Sequence, residues 1–350
     1  MGRIVYAAAM SHVLYPDYYG ENVGPHGRKM VEELIEVVRD MGRTLAATAP
    51  DALVVVADDH LNVFSFDAVP ALCVRVGRSV SRMVQDDAIE FDRALDGLPE
   101  RYPVHEGLAN AILEQGLQAG FDFAASWSAP LDHAFLSPVS TLYGDRPVPP
   151  LVPFWVNCFV APQPTAQRCF AAGRHIARVV ADGPWKVAVI ATGGLSHFPE
   201  LSLARVGQSD PVFDRRAVTL MEAGDHAALA ALTAKELHDT GSHELLNWLV
   251  LLGAVSPARP RPLLRRDGAH RPGRARVGRG MSRYDTNVIL YRLKKDPAFR
   301  DRFRSDPSTA LAGTDLTEEE RQAFMRWDVP RLNELGGMLH LLLSIPGLGH

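Results

Sequence analysis

The chain has 350 residues, 47% hydrophobic and 22% charged, with a formal net charge of -4. That length and balance support a full core, as one large domain with an appendage or as two domains, and exclude disordered and fibrous classes. The small negative charge gives no overall electrostatic reason to bind nucleic acid or an anionic membrane, so a small-molecule substrate is expected.

In chain order, residues 3–10 read as a strand followed directly by His12, and then by a loop rich in Tyr and Gly from Tyr15 to Gly20. From Lys29 to Thr48 the apolar residues Met30, Leu34, Val37, Val38, Met41 and Leu45 recur at helical spacing. Pro50 and Asp51 stop that helix, and the unbroken run LVVVA at 53–57 is a strand covered on both faces, ending at His60. Strand, helix and strand within this length predict a parallel βαβ unit. A further strand is expected to end at Gly77, and the polar stretch 78–101 reads as an excursion or lid edge. A helix over 106–118 leads to FDFAASW, and LDHAFLSP is expected to carry His133 in a loop. LVPFWVNCFV is an interior strand and 167–181 a helix. KVAVIATGGLSH then runs from Lys186 to His197, a buried strand that breaks at Gly193 and Gly194 and delivers a histidine.

Beyond Pro199 the chain is loop-rich, with helices expected at 211–222 and 225–234. Thr240 to Ser242 can cap a helix whose first turn holds His243 and Glu244. The stretch 257–280 is basic, rich in Gly and Pro and without apolar periodicity, so it reads as a linker. After it come helix starts at Asp296-Pro297 and Asp306-Pro307, a stop at Gly313, a capping box from Thr317 to Glu320, and a fourth helix over 331–343. The expected architecture is therefore α/β, a central mostly parallel sheet flanked by helices over 1–256, with a small all-α domain over 281–350.

Cys73, Cys158 and Cys169 form no CxxC pair, which fits a reducing cytoplasm rather than a disulfide scaffold. The N-terminal apolar run is too short for a signal peptide, and WLVLLGAV at 248–255 is too short for a membrane span.

The chemistry lies in histidines that share one placement. His12, His60, His133 and His197 each follow an apolar run, and strand ends converge at one edge of an open sheet. Two imidazoles and a carboxylate, His12, His60 and Glu244, would leave adjacent positions open on a metal, which suits Fe(II) with two substrate oxygens and dioxygen. His133 and His197 would then serve acid–base work. Any single histidine here could instead be a hydrogen-bonded polar residue at a strand end. Asp58 and Asp59 could orient His60 or cap the next segment. His243-Glu244 is not a zincin motif because position 247 is Asn, and GGLSH is not a nucleophile elbow.

Taken together, SH after the first strand, DDH after the second, LDHAFLSP, ATGGLSH and the late GSHE resemble the class III extradiol ring-cleavage dioxygenases of the protocatechuate 4,5-dioxygenase type, over roughly residues 3–255. The stretch LVVVADDHLNVFSFDAVPALCVRVG is especially similar to members that cleave dihydroxyphenylpropionate. From Met281 onward, DPAFRDRFRSDPSTALAG and LTEEERQAF resemble the small helical subunit of the same enzymes, which suggests a fusion of catalytic and lid subunits. The resemblance implies Fe(II) held by His12, His60 and Glu244, His197 as catalytic acid–base, and His133 assisting or touching substrate. It also implies an aromatic diol or aminophenol substrate, O2 as co-substrate, and a homo-oligomer. The family continues with a strand after the glutamate helix; here either YDTNVILYRL supplies it or the core is trimmed. A zinc-dependent hydrolase with the same ligands and a non-catalytic scaffold are the alternative readings.

Overall fold

The computed structural model describes residues 2–14, 20–83, 95, 97–198, 208–256, 283–314 and 316–348. The chain divides into two compact units, Met1–His197 with Ser209–Ser256, and Phe198–Gln208 with Pro257–His350. The basic stretch 257–280 and the Tyr-rich residues 15–19 lie outside the described residues.

The first unit runs β1 (Arg3–Met10), α1 (Gly20–Ala47), β2 (Ala52–Asp58), β3 (Leu72–Arg75), β4 (Ser79–Ser81), β5 (Arg101–Pro103), α2 (Glu106–Gln118), β6 (Ala124–Ser126), α3 (His133–Tyr143), β7 (Leu151–Val156), α4 (Ala166–Asp182) and β8 (Lys186–Thr192). It closes with α5 (Pro211–Glu222), α6 (His226–Ala230), α7 (Ala234–Thr240) and α8 (Leu245–Val255). Six strands form one sheet in the order β1-β8-β2-β7-β3-β6, parallel throughout except where β3 meets β7; β4 and β5 form a separate antiparallel pair. β1 and β2 therefore flank β8, so the residues that follow these three strands emerge side by side. Every residue of β2 and β7 is buried, as their continuous Val, Leu and Phe character requires when helices cover both faces.

α4 and α8 approach each other closely because each has a glycine at the crossing. A Cβ on Gly173 would collide with the Val250 carbonyl oxygen, and one on Gly253 with the carbonyl oxygen of Phe170. This crossing places α8, and with it Glu244 at its start. Gly253→Ala is expected to destabilise the fold by about 1–3 kcal/mol through overpacking, read as a lowered melting temperature.

The second unit is all helical: α9 (Arg283–Lys295), α10 (Pro297–Ser305), α11 (Pro307–Ala310), α12 (Glu318–Arg326), α13 (Val329–Glu334) and α14 (Leu339–Leu343). Its core gathers Leu290, Leu293, Phe299, Phe303, Phe324 and Leu332. Asp296 and Asp306 cap α10 and α11 ahead of their prolines, and Thr317 with Glu320 forms the capping box of α12. Fully buried Glu320 is satisfied on both sides, since its second oxygen accepts the Thr286 hydroxyl at 3.0 Å. No helix among the described residues is long and apolar enough to cross a membrane.

Several local expectations change. The strand ending at Gly77 shrinks to four residues, because the Asp59 carboxylate folds residues 62–64 into a tight loop. His133 is not in a loop but opens α3, whose start is capped by Asp132. Thr240 closes α7, Gly241 turns the chain in the left-handed region, and His243 and Glu244 precede α8 instead of lying inside it. YDTNVILYRL belongs to helix α9 and supplies no strand. The segment 331–343 is two short helices, broken at Gly336 and Gly337.

Candidate functional site

Each site residue is delivered by a local device. His12 follows β1 through Ser11, whose hydroxyl accepts the Val13 N–H at 3.1 Å, and is 4% exposed. His60 follows β2, where Asp59 accepts three backbone N–H groups, from Asn62, Val63 and Phe64, at 2.8–3.0 Å. Those three bonds hold Leu61 at φ +56, a conformation an L residue adopts only when its surroundings impose it. His133 begins α3; Asp132 accepts the Ala134 N–H at 3.1 Å with one oxygen and the Asn62 amide at 2.9 Å with the other. The two histidine-bearing segments after β2 and before α3 are thus tied together.

His197 ends the turn after β8. Ser196 donates its backbone N–H and its hydroxyl to the Asp214 carboxylate on α5, at 3.0 and 2.8 Å. His197 Nδ1 lies 2.7 Å from the Leu195 carbonyl oxygen, which can only accept, so Nδ1 carries a proton and Nε2 faces the site. Glu244 is fully buried just ahead of α8. Its Oε2 accepts the Gly194 N–H. Gly193 adopts φ +117, and a Cβ there would stand 2.8 Å from the Glu244 Cβ and 3.0 Å from Oε2. The two glycines are the seat of the carboxylate, for reasons of both conformation and space.

With Oε2 held, Glu244 Oε1 points at three imidazoles: His197 Nε2 at 3.3 Å, His12 Nε2 at 3.8 Å and His60 Nε2 at 3.8 Å. The His133 ring completes the cluster, 4.9 Å from that of His60 and 5.4 Å from that of His12. All five residues expected from the sequence are therefore gathered. Two overlapping sets have donor atoms within 4.8 Å of one another, His12 with His60 and His133, and His12 with Asp58 and Glu244. The set His12, His60 and Glu244 draws on both.

Three further residues belong to the site. Asp58 is fully buried with Oδ2 3.2 Å from His60 Nε2, and its Oδ1 accepts the Asn247 amide at 2.8 Å. The Phe159 ring lies 5.2 Å from His60. Asp58 was visible in the DDH triplet, whereas Asn247 and Phe159 carried no signal of spacing or composition.

The electrostatics are those of a site built for a cation. Burial alone would raise the Glu244 carboxyl, but the neighbouring imidazoles, chiefly those of His197 and His12, hold it well below its usual 4.5. Burial lowers His12 to about 4. For His60 and His197 burial acts in the same direction but is overcome, by Asp58 and Glu244 for His60, raised to about 10, and by Glu244 for His197, raised to about 9. Burial pushes Asp58 up to about 7, against the pull of His60. Protons on His60 and His197 then supply positive charge that a divalent ion would otherwise bring.

A test of fit comes from the polar atoms. Glu244 Oε1, Asp58 Oδ2 and His12 Nδ1 are buried and, among the described residues, have no hydrogen-bond partner. Such groups are costly unless something satisfies them, and an acceptor oxygen ringed by imidazole nitrogens is satisfied by a cation. Two nitrogens and one carboxylate oxygen are a donor set for a divalent transition metal.

The raised histidines carry a consequence for stability. Without metal, the folded protein holds protons on His60 and His197 that the unfolded chain releases near pH 6.5, so stability is lost as pH rises toward 9–10. Melting temperatures of the chelator-treated protein are expected to fall from pH 7 to pH 10, and bound metal to lessen the fall. A flat metal-free profile would contradict the assignment of protons.

Residues 6–268, well over half the chain, match the family described as the catalytic LigB subunit of aromatic ring-opening dioxygenase. Residues 286–348 match the LigA subunit of aromatic-ring-opening dioxygenase LigAB. Among curated relatives, the 2,3-dihydroxyphenylpropionate/2,3-dihydroxicinnamic acid 1,2-dioxygenase of Klebsiella pneumoniae is 26% identical over 272 residues, covering 65% of this chain and 83% of its own. The enzyme of the same name from Escherichia coli is 25% identical over 274 residues, covering 65% and 84%. A crystal structure of uncharacterized protein JW3007 from Escherichia coli K12 aligns with a TM-score of 0.42 and 18% identity, over 63% of this chain and 81% of that one.

Proposed function

Because the chain belongs to the catalytic LigB family of aromatic ring-opening dioxygenases, and is an extradiol ring-cleavage dioxygenase dependent on a metal, we propose that its metal is Fe(II), held by His12, His60 and Glu244. The observation that carries this reading is Glu244 Oε1, buried, without a hydrogen-bond partner among the described residues, and ringed by three imidazole nitrogens at 3.3–3.8 Å. Two neutral imidazoles and one carboxylate leave adjacent coordination positions for both oxygens of a diol and for O2, and they suit Fe(II).

When bound, Fe(II) supplies the electron density that lets dioxygen react beside a coordinated diol. The protein's own groups do the rest. Gly194 N–H holds Oε2 of Glu244, so that Oε1 keeps one direction. His197, its Nδ1 proton given to the Leu195 carbonyl, presents Nε2 to take a phenolic proton and later return it. His133 is held by its capped helix start against His60 and His12, where it assists or contacts substrate. Phe159 forms an apolar wall beside His60, able to pack against an aromatic ring.

The substrate is a catechol-type diol. The names of the relatives favour a 2,3-dihydroxyphenyl compound with an acidic side chain as the first choice for testing. The catalytic domain is placed at 1–256, the basic linker at 257–280 and the helical domain at 281–350; family matches over 6–268 and 286–348 support a chain of two parts. Since one chain carries both subunit families, the assembly is proposed to be a homo-oligomer. The three buried free cysteines fit a reducing cytoplasm.

Anaerobic loading with Fe(II), addition of 2,3-dihydroxyphenylpropionate, protocatechuate, gallate or an aminophenol, and admission of O2 test the reading together. Oxygen uptake with a yellow ring-opened product is expected for at least one. No uptake with any of them, or equal turnover with Zn(II) in the absence of oxygen, would overturn it.

A further inference from the structure

The geometry points to Asn247 as a positioning residue that sets the arrangement of the metal ligands without touching the metal. Asn247 is fully buried on α8, one turn beyond Glu244, in a helix whose other core-facing residues are apolar. Its Nδ2 donates to Asp58 Oδ1 at 2.8 Å and to the Thr192 carbonyl at 3.0 Å, while its Oδ1 accepts the Cys158 thiol at 3.5 Å. The Thr192 carbonyl can only accept, so the amide orientation follows from its partners. One side chain thus joins the helix that begins at Glu244 to the end of β2, the end of β8 and the residues just past β7.

The effect on the site runs through Asp58. With Oδ1 held by the amide, Asp58 turns Oδ2 toward His60 Nε2 at 3.2 Å, and Oδ1 stays 4.0 Å from His12 Nδ1. Freed of the amide, that carboxylate could rotate, and it belongs to a set of potential metal donors with His12 and Glu244. Asn247 therefore decides which face of Asp58 meets the histidines, and it couples that choice to the position of Glu244. A leucine of similar size could fill the same place in the apolar helix but would leave Asp58 Oδ1 and the Thr192 carbonyl without this donor. The inference rests on the metal-site reading above.

Co(II), a spectroscopic stand-in, separates the two. Wild type is expected to bind it and His12→Ala to lose it; failure of either would overturn the metal-site reading itself. Given that result, Asn247→Leu is expected to weaken Co(II) binding by roughly 10- to 100-fold, the usual size for groups that orient ligands, and to shift the visible d–d bands. Asp58→Asn and Asn247→Leu should also combine non-additively in metal affinity, since they act through one contact. Unchanged affinity and bands in Asn247→Leu, with only a lower melting temperature, would reduce Asn247 to a structural residue and overturn the proposal, as would strict additivity. Should Asn247→Leu fail to fold, Asn247→Ser replaces it: weaker Co(II) binding with altered bands is expected, and wild-type affinity and bands would refute the role.

Discussion

His197→Ala is expected to retain metal with near wild-type affinity while ring-opening turnover falls by about 10²- to 10⁴-fold, the usual contribution of a positioned acid–base group. The split follows from how Glu244 is held. Its Oε2 takes a backbone N–H from Gly194, and its Oε1 faces His12 and His60 as well as His197, so removing one imidazole leaves the carboxylate seated. Proton transfer has no such backup at Nε2. Anaerobic Fe(II) titration of the variant, followed by single-turnover oxygen uptake, measures both quantities on one sample. Loss of metal from His197→Ala would assign this histidine to the ligand set instead. The pH profile gives a second reading: His197 is raised to about 9 by Glu244 without metal, and a cation at Oε1 would cancel that attraction and lower it toward the range where a base works.

Glu244→Ala is expected to have the opposite signature, with metal binding lost by more than the roughly 10- to 100-fold typical of orienting groups and turnover lost with it. The carboxylate is the only group of the proposed triad that brings negative charge, and it is fully buried, so no solvent replaces it. Its removal also strips His197 of its main positive shift and His60 of one of its sources. Both imidazoles should then titrate lower in the variant, observable by NMR of the ring protons in the metal-free protein. Glu244→Gln tests the charge separately: the amide preserves size, yet metal affinity should still collapse. Tight metal binding in either variant would shift the ligand role to Asp58 or His133, the other members of the two donor sets.

Much of this could be read from residue order. The Val- and Ile-rich runs at 53–57 and 186–192 announced buried parallel strands, and the histidines at their ends announced one reactive edge, because a parallel sheet sends all its strand C-termini the same way. Helix starts at Asp296, Asp306 and Thr317 were equally legible, since capping is a local hydrogen bond between residues three apart or fewer. Of the two readings left open for YDTNVILYRL, the further strand is not realised: the stretch lies in α9, with Ile289, Leu290 and Leu293 buried in an all-helical unit.

The sequence by itself determined the fold class, the family, and the identity of the five residues that meet at the site, because those depend on residue types and on their order along the strands. Only the tertiary structure decided how they meet. That His133 opens a helix under an Asp132 cap tied to Asn62, that Glu244 rests on the backbone of Gly194, and that Asn247 reaches Asp58 across 189 positions of sequence are facts of packing. Local spacing holds no record of the contacts of Asn62, Gly194 and Asp58, which join segments far apart in the chain; those made by Glu244 and Asn247 depend on the crossing of α4 and α8 and on the sheet order β1-β8-β2.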